Sequence, residues 1–132
     1  MSFSIADFEQ FRSSSDVDRF TIEFLQEERE GNVAGDRHMD LAVWCKSYPH
    51  DALAIVLTLL DKTEEDDAAQ ERIAMNVVDR IVEWPPDDFI PYLVDAVRSH
   101  PRFALCTKWK REHSDTSRWK AFQEKVNAYG IT

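Results

Sequence analysis

Glycine is scarce in this chain, with only Gly31, Gly35 and Gly130 among 132 residues, alongside five prolines. So few breaks cannot serve the many tight turns of a sandwich or barrel, whereas long helices need few. Nor can a loop that cradles a phosphate with successive backbone N–H groups be written, which argues against nucleotide cofactors. Long hydrophobic runs are also missing. The longest, residues 52–60, is about half of the roughly twenty residues that a membrane span requires. The opening stretch MSFSIADFEQF has neither a positive n-region nor an apolar run of signal length, so a cytoplasmic protein that does not enter the membrane is expected. Cysteine occurs twice, as Cys45 and Cys106, and without a secretory signal these read as free, half-buried thiols.

Recognisable chemistry is sparse too. His38, His50, His100 and His113 are scattered singly, none with a His or Cys partner three or four residues away, so no zinc site is expected. His38 with Asp40, and His113 with Glu112 and Asp115, read as solvated neighbours rather than acid–base pairs. The serines at 13–15, 114 and 117 lack the G-x-S-x-G elbow and read as caps and linkers. The acidic stretches lack the D-x-D-x-D-G spacing of a calcium loop. The expectation is a protein that is not an enzyme and carries no cofactor or metal.

The chain does hold 43% apolar and 11% aromatic residues, enough to offset the entropy of ordering. Their spacing is helical almost throughout. Ser4 and Asp7 form a capping-box-like pair ahead of Ile5, Phe8 and Phe11. A second stripe, Val17, Phe20, Phe24 and Leu25, runs out near Gly31. Further helices are predicted from Asp36, from about His50 to Lys62, from the acidic run at 64–67 to Trp84, from Asp87 to Pro101, over 102–110 and over 115–129. Residues 52–60 are apolar on nearly every side and mark a helix buried between neighbours.

The fold class expected is all-α, with seven or eight helices arranged either as stacked, HEAT-like helical hairpins or as a compact α-bundle. A single domain covers 1–132, comprising an N-terminal helical hairpin at 1–31, central helix pairs at 36–101 and basic C-terminal helices at 102–132. The stacked alternative rests on an internal likeness. PHDALAIVLTLL from Pro49 aligns with PDDFIPYLVDAV from Pro86 at an offset of 37 residues, each copy following a tryptophan, and helical-hairpin repeats have periods of about 34 to 47.

Charge is unevenly divided. Residues 1–97 hold 22 Asp and Glu against 8 Lys and Arg, a net −14, while residues 98–132 hold 3 against 8, a net +5. An acidic surface attracts basic proteins and raises their encounter rate. The expected partner-binding face joins Glu27, Glu28 and Glu30 with Glu64, Glu65, Asp66 and Asp67 and with Asp87 and Asp88. The basic end interleaves cations with Trp109 and Trp119. Lys108, Lys110, Arg111, Arg118 and Lys120 therefore form a candidate anion or nucleic-acid patch, although the same cations could lie against the acidic helices, and nucleic acid is the less favoured partner.

From Leu41 to Tyr129, the stretch AVWCKSYPHDALAIVLTLL, followed by HPRFALCTKWKREHSDTSRWKAFQ, is similar to small bacterial helical domains of unassigned function, some of which resemble immunity proteins of toxin–immunity systems. The likeness rests on apolar spacing, the His100-Pro101-Arg102-Phe103 turn and a late tryptophan. It implies a non-enzymatic acidic protein that binds a cognate basic toxin and covers its active site. The alternative expectation is a HEAT-like adaptor or scaffold that holds a peptide or protein subunit.

Overall fold

The computed structural model describes residues 14–32 and 34–130, with side chains from residue 18 onward. The helix expected from Ser4, and with it the first half of the N-terminal hairpin, lies outside the described residues. Within them the chain is all-helical and forms seven helices. These are α1 (Ser14–Arg29), α2 (Asp36–Ser47), α3 (Pro49–Lys62), α4 (67–83), α5 (Ile90–Ser99), α6 (Pro101–His113) and α7 (Ser117–Ala128).

Local chemistry sets most of the boundaries. α1 ends in a Schellman turn, in which Gly31, at φ +70°, donates its N–H to the Glu28 carbonyl and Asn32 donates to the Glu27 carbonyl. Pro49, Pro91 and Pro101 each occupy the first turn of their helix, where a missing N–H is tolerated. Asp66 caps α4 by accepting from the Ala69 N–H, and Thr116 caps α7 by accepting from the Trp119 N–H. α5 is entered through a 3-10 turn, Asp87–Phe89. The short segment expected at 102–110 is a full helix that continues to His113.

α4 departs from regular geometry at its centre. Residues Asp67–Ile73 and Asp79–Glu83 are α-helical, but Ala74–Val78 form a π-helical turn. The extra residue in that turn advances the buried stripe from Ala69, Ile73 and Val77 to Val78, Ile81 and Val82, so both halves of the helix face the core. The N-terminal half packs on α1 and α3, the C-terminal half on α2, α3 and α7, and the π turn on α6.

α3 is buried much as its apolar run predicts, through Ala52, Leu53, Ile55, Val56, Leu59 and Leu60. The three last helices pack on one another, and α6 also reaches α3. One cluster of buried side chains runs from Phe20 to Val126, with Trp44 and Trp119 among its largest members. In a linear stack each unit touches only its neighbours. Here α4 joins elements from both ends of the chain, which fits the compact arrangement of the two expected. The stretches 37 residues apart occupy different registers, because Pro49 opens α3 directly whereas Pro86 precedes the 3-10 turn and Pro91 stands in the first turn of α5. Their preceding tryptophans differ as well, Trp44 being buried and Trp84 exposed.

Candidate functional site

The acidic residues expected to form one face are distributed by the fold into three places. Glu27 and Glu28, on the last turn of α1, point inward. The Glu27 carboxylate accepts from the backbone N–H groups of Arg37 and His38, each at 3.0 Å, and lies 2.9 Å from His38 Nδ1. It thereby caps α2, whose N-cap residue, Gly35, has no side chain to do so. Burial works against its ionised form, but the Arg37 and His38 N–H groups and the His38 ring outweigh that and hold the carboxyl below its ordinary range.

Glu28 is 2% exposed and joins His38 Nε2 at 3.1 Å to Arg72 Nε at 2.6 Å, tying α1 to α2 and α4. His38 is fully buried and stacks on Phe24 at 4.0 Å. Each ring nitrogen thus lies within hydrogen-bonding distance of a carboxylate. His38 and its neighbours therefore act as a buried staple, not as the solvated pair that adjacency to Asp40 suggested. As members of a partner-binding face, Glu27 and Glu28 are corrected: the staple occupies them.

Glu64, Glu65, Asp66 and Asp67 are exposed at the α3–α4 turn. Glu64 pairs with Arg102 of α6, and Asp66 is the α4 cap. No described residue engages Glu65, Asp67 or the exposed Glu71 one turn later. Glu30 is exposed and accepts from Gln26. Asp87 and Asp88 are exposed beyond the other end of α4, roughly 25 Å away by helix length. Asp87 is paired with Arg118 at 2.9 Å.

The basic patch is dispersed in the same way. Arg111 is buried, donating to Thr107 Oγ1 and Gln123 Oε1, and loss of water lowers its pKa. Arg118 donates to the Pro85 and Pro86 carbonyls and closes the turn after α4. Lys110 pairs with Asp79 at 3.5 Å, and the same Asp79 oxygen accepts from Trp119 Nε1 at 3.0 Å. Of the five candidates, only Lys108 and Lys120 are left exposed and unengaged by described residues. Trp119 is buried, so the stacking surface expected beside it is absent.

What the sequence reading missed is a cleft of about 460 Å³ between the π turn of α4 and the outer face of α6. Ala74 and Cys106 lie between its walls, Glu71, Met75 and Asp79 line the α4 side, and Trp109 and Lys110 line the α6 side. Met75 is 69% exposed and Trp109 67%, and Leu105, one turn before Trp109 on α6, is 72% exposed. A signal was present. Following α6 inward from Phe103 at four-residue steps leads to Thr107 and Arg111, which leaves Leu105 and Trp109 outside.

Cys45 is buried, with its thiol pushed up to about 12 by desolvation, and Cys106 is half-buried with its thiol also raised by burial. Among the described residues no group of three or more His, Cys, Asp or Glu side chains is placed to hold a metal ion, and no helix is long and apolar enough to cross a membrane. No protein family, curated protein or solved structure matches the chain.

Proposed function

We propose that this chain is a non-enzymatic acidic domain that binds a basic protein, acting as an immunity-type inhibitor that neutralises a cognate bacterial toxin in the cytoplasm. The observation that supports it is the pairing of unengaged carboxylates with open apolar surface. Glu71 lines the cleft with Met75 and Trp109, and Asp67 and Glu65 stand exposed one to two turns earlier in the chain. Carboxylates steer a cationic surface into contact, and apolar anchors slow its departure.

The test is capture at low ionic strength from the native cell extract, comparing wild type with a Glu65→Lys, Asp67→Lys, Glu71→Lys variant. A basic protein retained by the wild type alone, whose toxicity on expression is relieved by co-expression of this chain, supports the reading. Recovery of no basic protein, or equal recovery by both forms, refutes it. A helical adaptor holding a peptide or subunit is the second reading, favoured by the same cleft. It predicts a stable complex without relief of toxicity.

A further inference from the structure

Two ion pairs join α6 to α4 and the turn before it. Glu64 meets Arg102, and Asp79 meets Lys110 at the cleft itself. The start of α4 thus lies toward the start of α6, the two helices pack at the π turn, and the segment of α6 between the two pairs spans roughly 12 Å, about two helical turns. Along α4, Asp67, Glu71 and Met75 follow at four-residue intervals and share one face. Along α6, Leu105 and Trp109 share another. The trough thus sets Met75 against Trp109, with the unengaged carboxylate of Glu71 on its α4 wall; Asp67 stands exposed one turn before Glu71, and Leu105 one turn before Trp109.

We infer that this trough docks an amphipathic α-helix of a basic partner. Two apolar side chains about one turn apart would lie against Met75, Leu105 and Trp109, with Lys or Arg on the flank that faces Asp67 and Glu71. The described residues contain no strand, so an extended segment has no sheet edge to join, and an amphipathic helix suits a trough with apolar side chains on both walls and carboxylates to one side. Charge complementarity selects a cationic flank, since Glu71 is unengaged and Lys110, the cation that lines the trough, is already paired with Asp79. The inference rests on the basic-partner reading proposed above and assigns the surface and the shape of what binds it.

The probe is a labelled synthetic helix of about 16 residues, built from Leu and Lys with Leu on one face. Its control is a peptide of the same composition, scrambled so that no apolar face forms. Binding is followed by fluorescence anisotropy at low salt. The expected result is that the patterned helix binds about tenfold more tightly than the scrambled peptide, and that Leu105→Asp or Met75→Asp each removes about tenfold. Both residues are exposed, so the variants should retain the fold, and circular dichroism with a thermal melt checks that they do.

Equal binding of the two peptides, unaffected by either variant, overturns the helix-docking inference while leaving a charge-driven basic-partner reading intact. Binding of neither peptide overturns both. Sedimentation that shows self-association abolished by Leu105→Asp would place a second copy of this chain in the trough and overturn the inference as well.

Discussion

Asp40 offers a direct test of the buried polar layer between α1 and α2. It is 2% exposed, with Arg37 Nη1 3.3 Å from its Oδ2, yet that oxygen receives no hydrogen bond. Desolvation pushes its carboxyl from 3.8 up to about 6 against the pull of Arg37, with Asp36 and Glu27 adding to the rise. A raised carboxyl binds its proton more tightly in the folded than in the unfolded state. Its penalty is therefore absent below about pH 4, grows as pH rises from 4 to 6 and is complete above that window. Two units correspond to about 3 kcal/mol. Asp40→Asn keeps the shape, discards the charge and can still present an oxygen to Arg37. Urea denaturation followed by tryptophan fluorescence should show the variant more stable by about 2 to 3 kcal/mol at pH 7.5 and equal to wild type near pH 4. Unchanged or lowered stability at pH 7.5, or a gain of the same size at both pH values, would refute the reasoning.

Two further substitutions probe the same layer. Glu28→Ala strands the fully buried His38 Nε2, while the 41% exposed side chain of Arg72 can turn to water. We expect a loss of about 3 kcal/mol in urea unfolding at pH 7.5, and a loss below about 1 kcal/mol would show that Glu28 is not a structural tie. Gly35→Ala places a Cβ against the Glu27 carboxyl, displacing the group that caps α2. Its expected cost is about 2 kcal/mol, although φ at Gly35 is an ordinary −66°. A thermal midpoint equal to that of wild type would show that Glu27 moves aside without loss.

The helices were legible because their signals are local. Proline in a first turn, Thr116 and Asp66 as caps, Gly31 as a stop and four-residue apolar spacing all act within one or two turns. The π turn was not, since inserting one residue into a helical turn changes the phase of the stripe without any signature residue. The acidity was legible as a count but not as a surface. Glu27 and Glu28 are internal because of His38 and Arg72, which lie 10 to 44 residues away in sequence, and spacing on α1 alone cannot reveal that. The cleft was not legible because its two walls, the π turn of α4 and the outer face of α6, are far apart in sequence. α6 turns Thr107 and Arg111 to the core because they find partners there, and it leaves Leu105 and Trp109 outside.

The division of charge between the two parts of the chain also changes meaning in three dimensions. Four of the cations after residue 97 are joined to carboxylates before it, as Arg98 to Asp95, Arg102 to Glu64, Lys110 to Asp79 and Arg118 to Asp87. Such exposed pairs contribute about 0 to 1 kcal/mol each, so they do little for stability, but they neutralise positive surface that would otherwise repel a basic partner. The unengaged negative charge on the α4 side of the cleft is that of Glu71, with Asp67 and Glu65 exposed one to two turns earlier in the chain. Asp87 and Asp88 lie roughly 25 Å away along α4, beyond two Debye lengths at physiological salt. Attraction at the cleft under those conditions should therefore depend on three local carboxylates rather than on the net −9 of the whole chain.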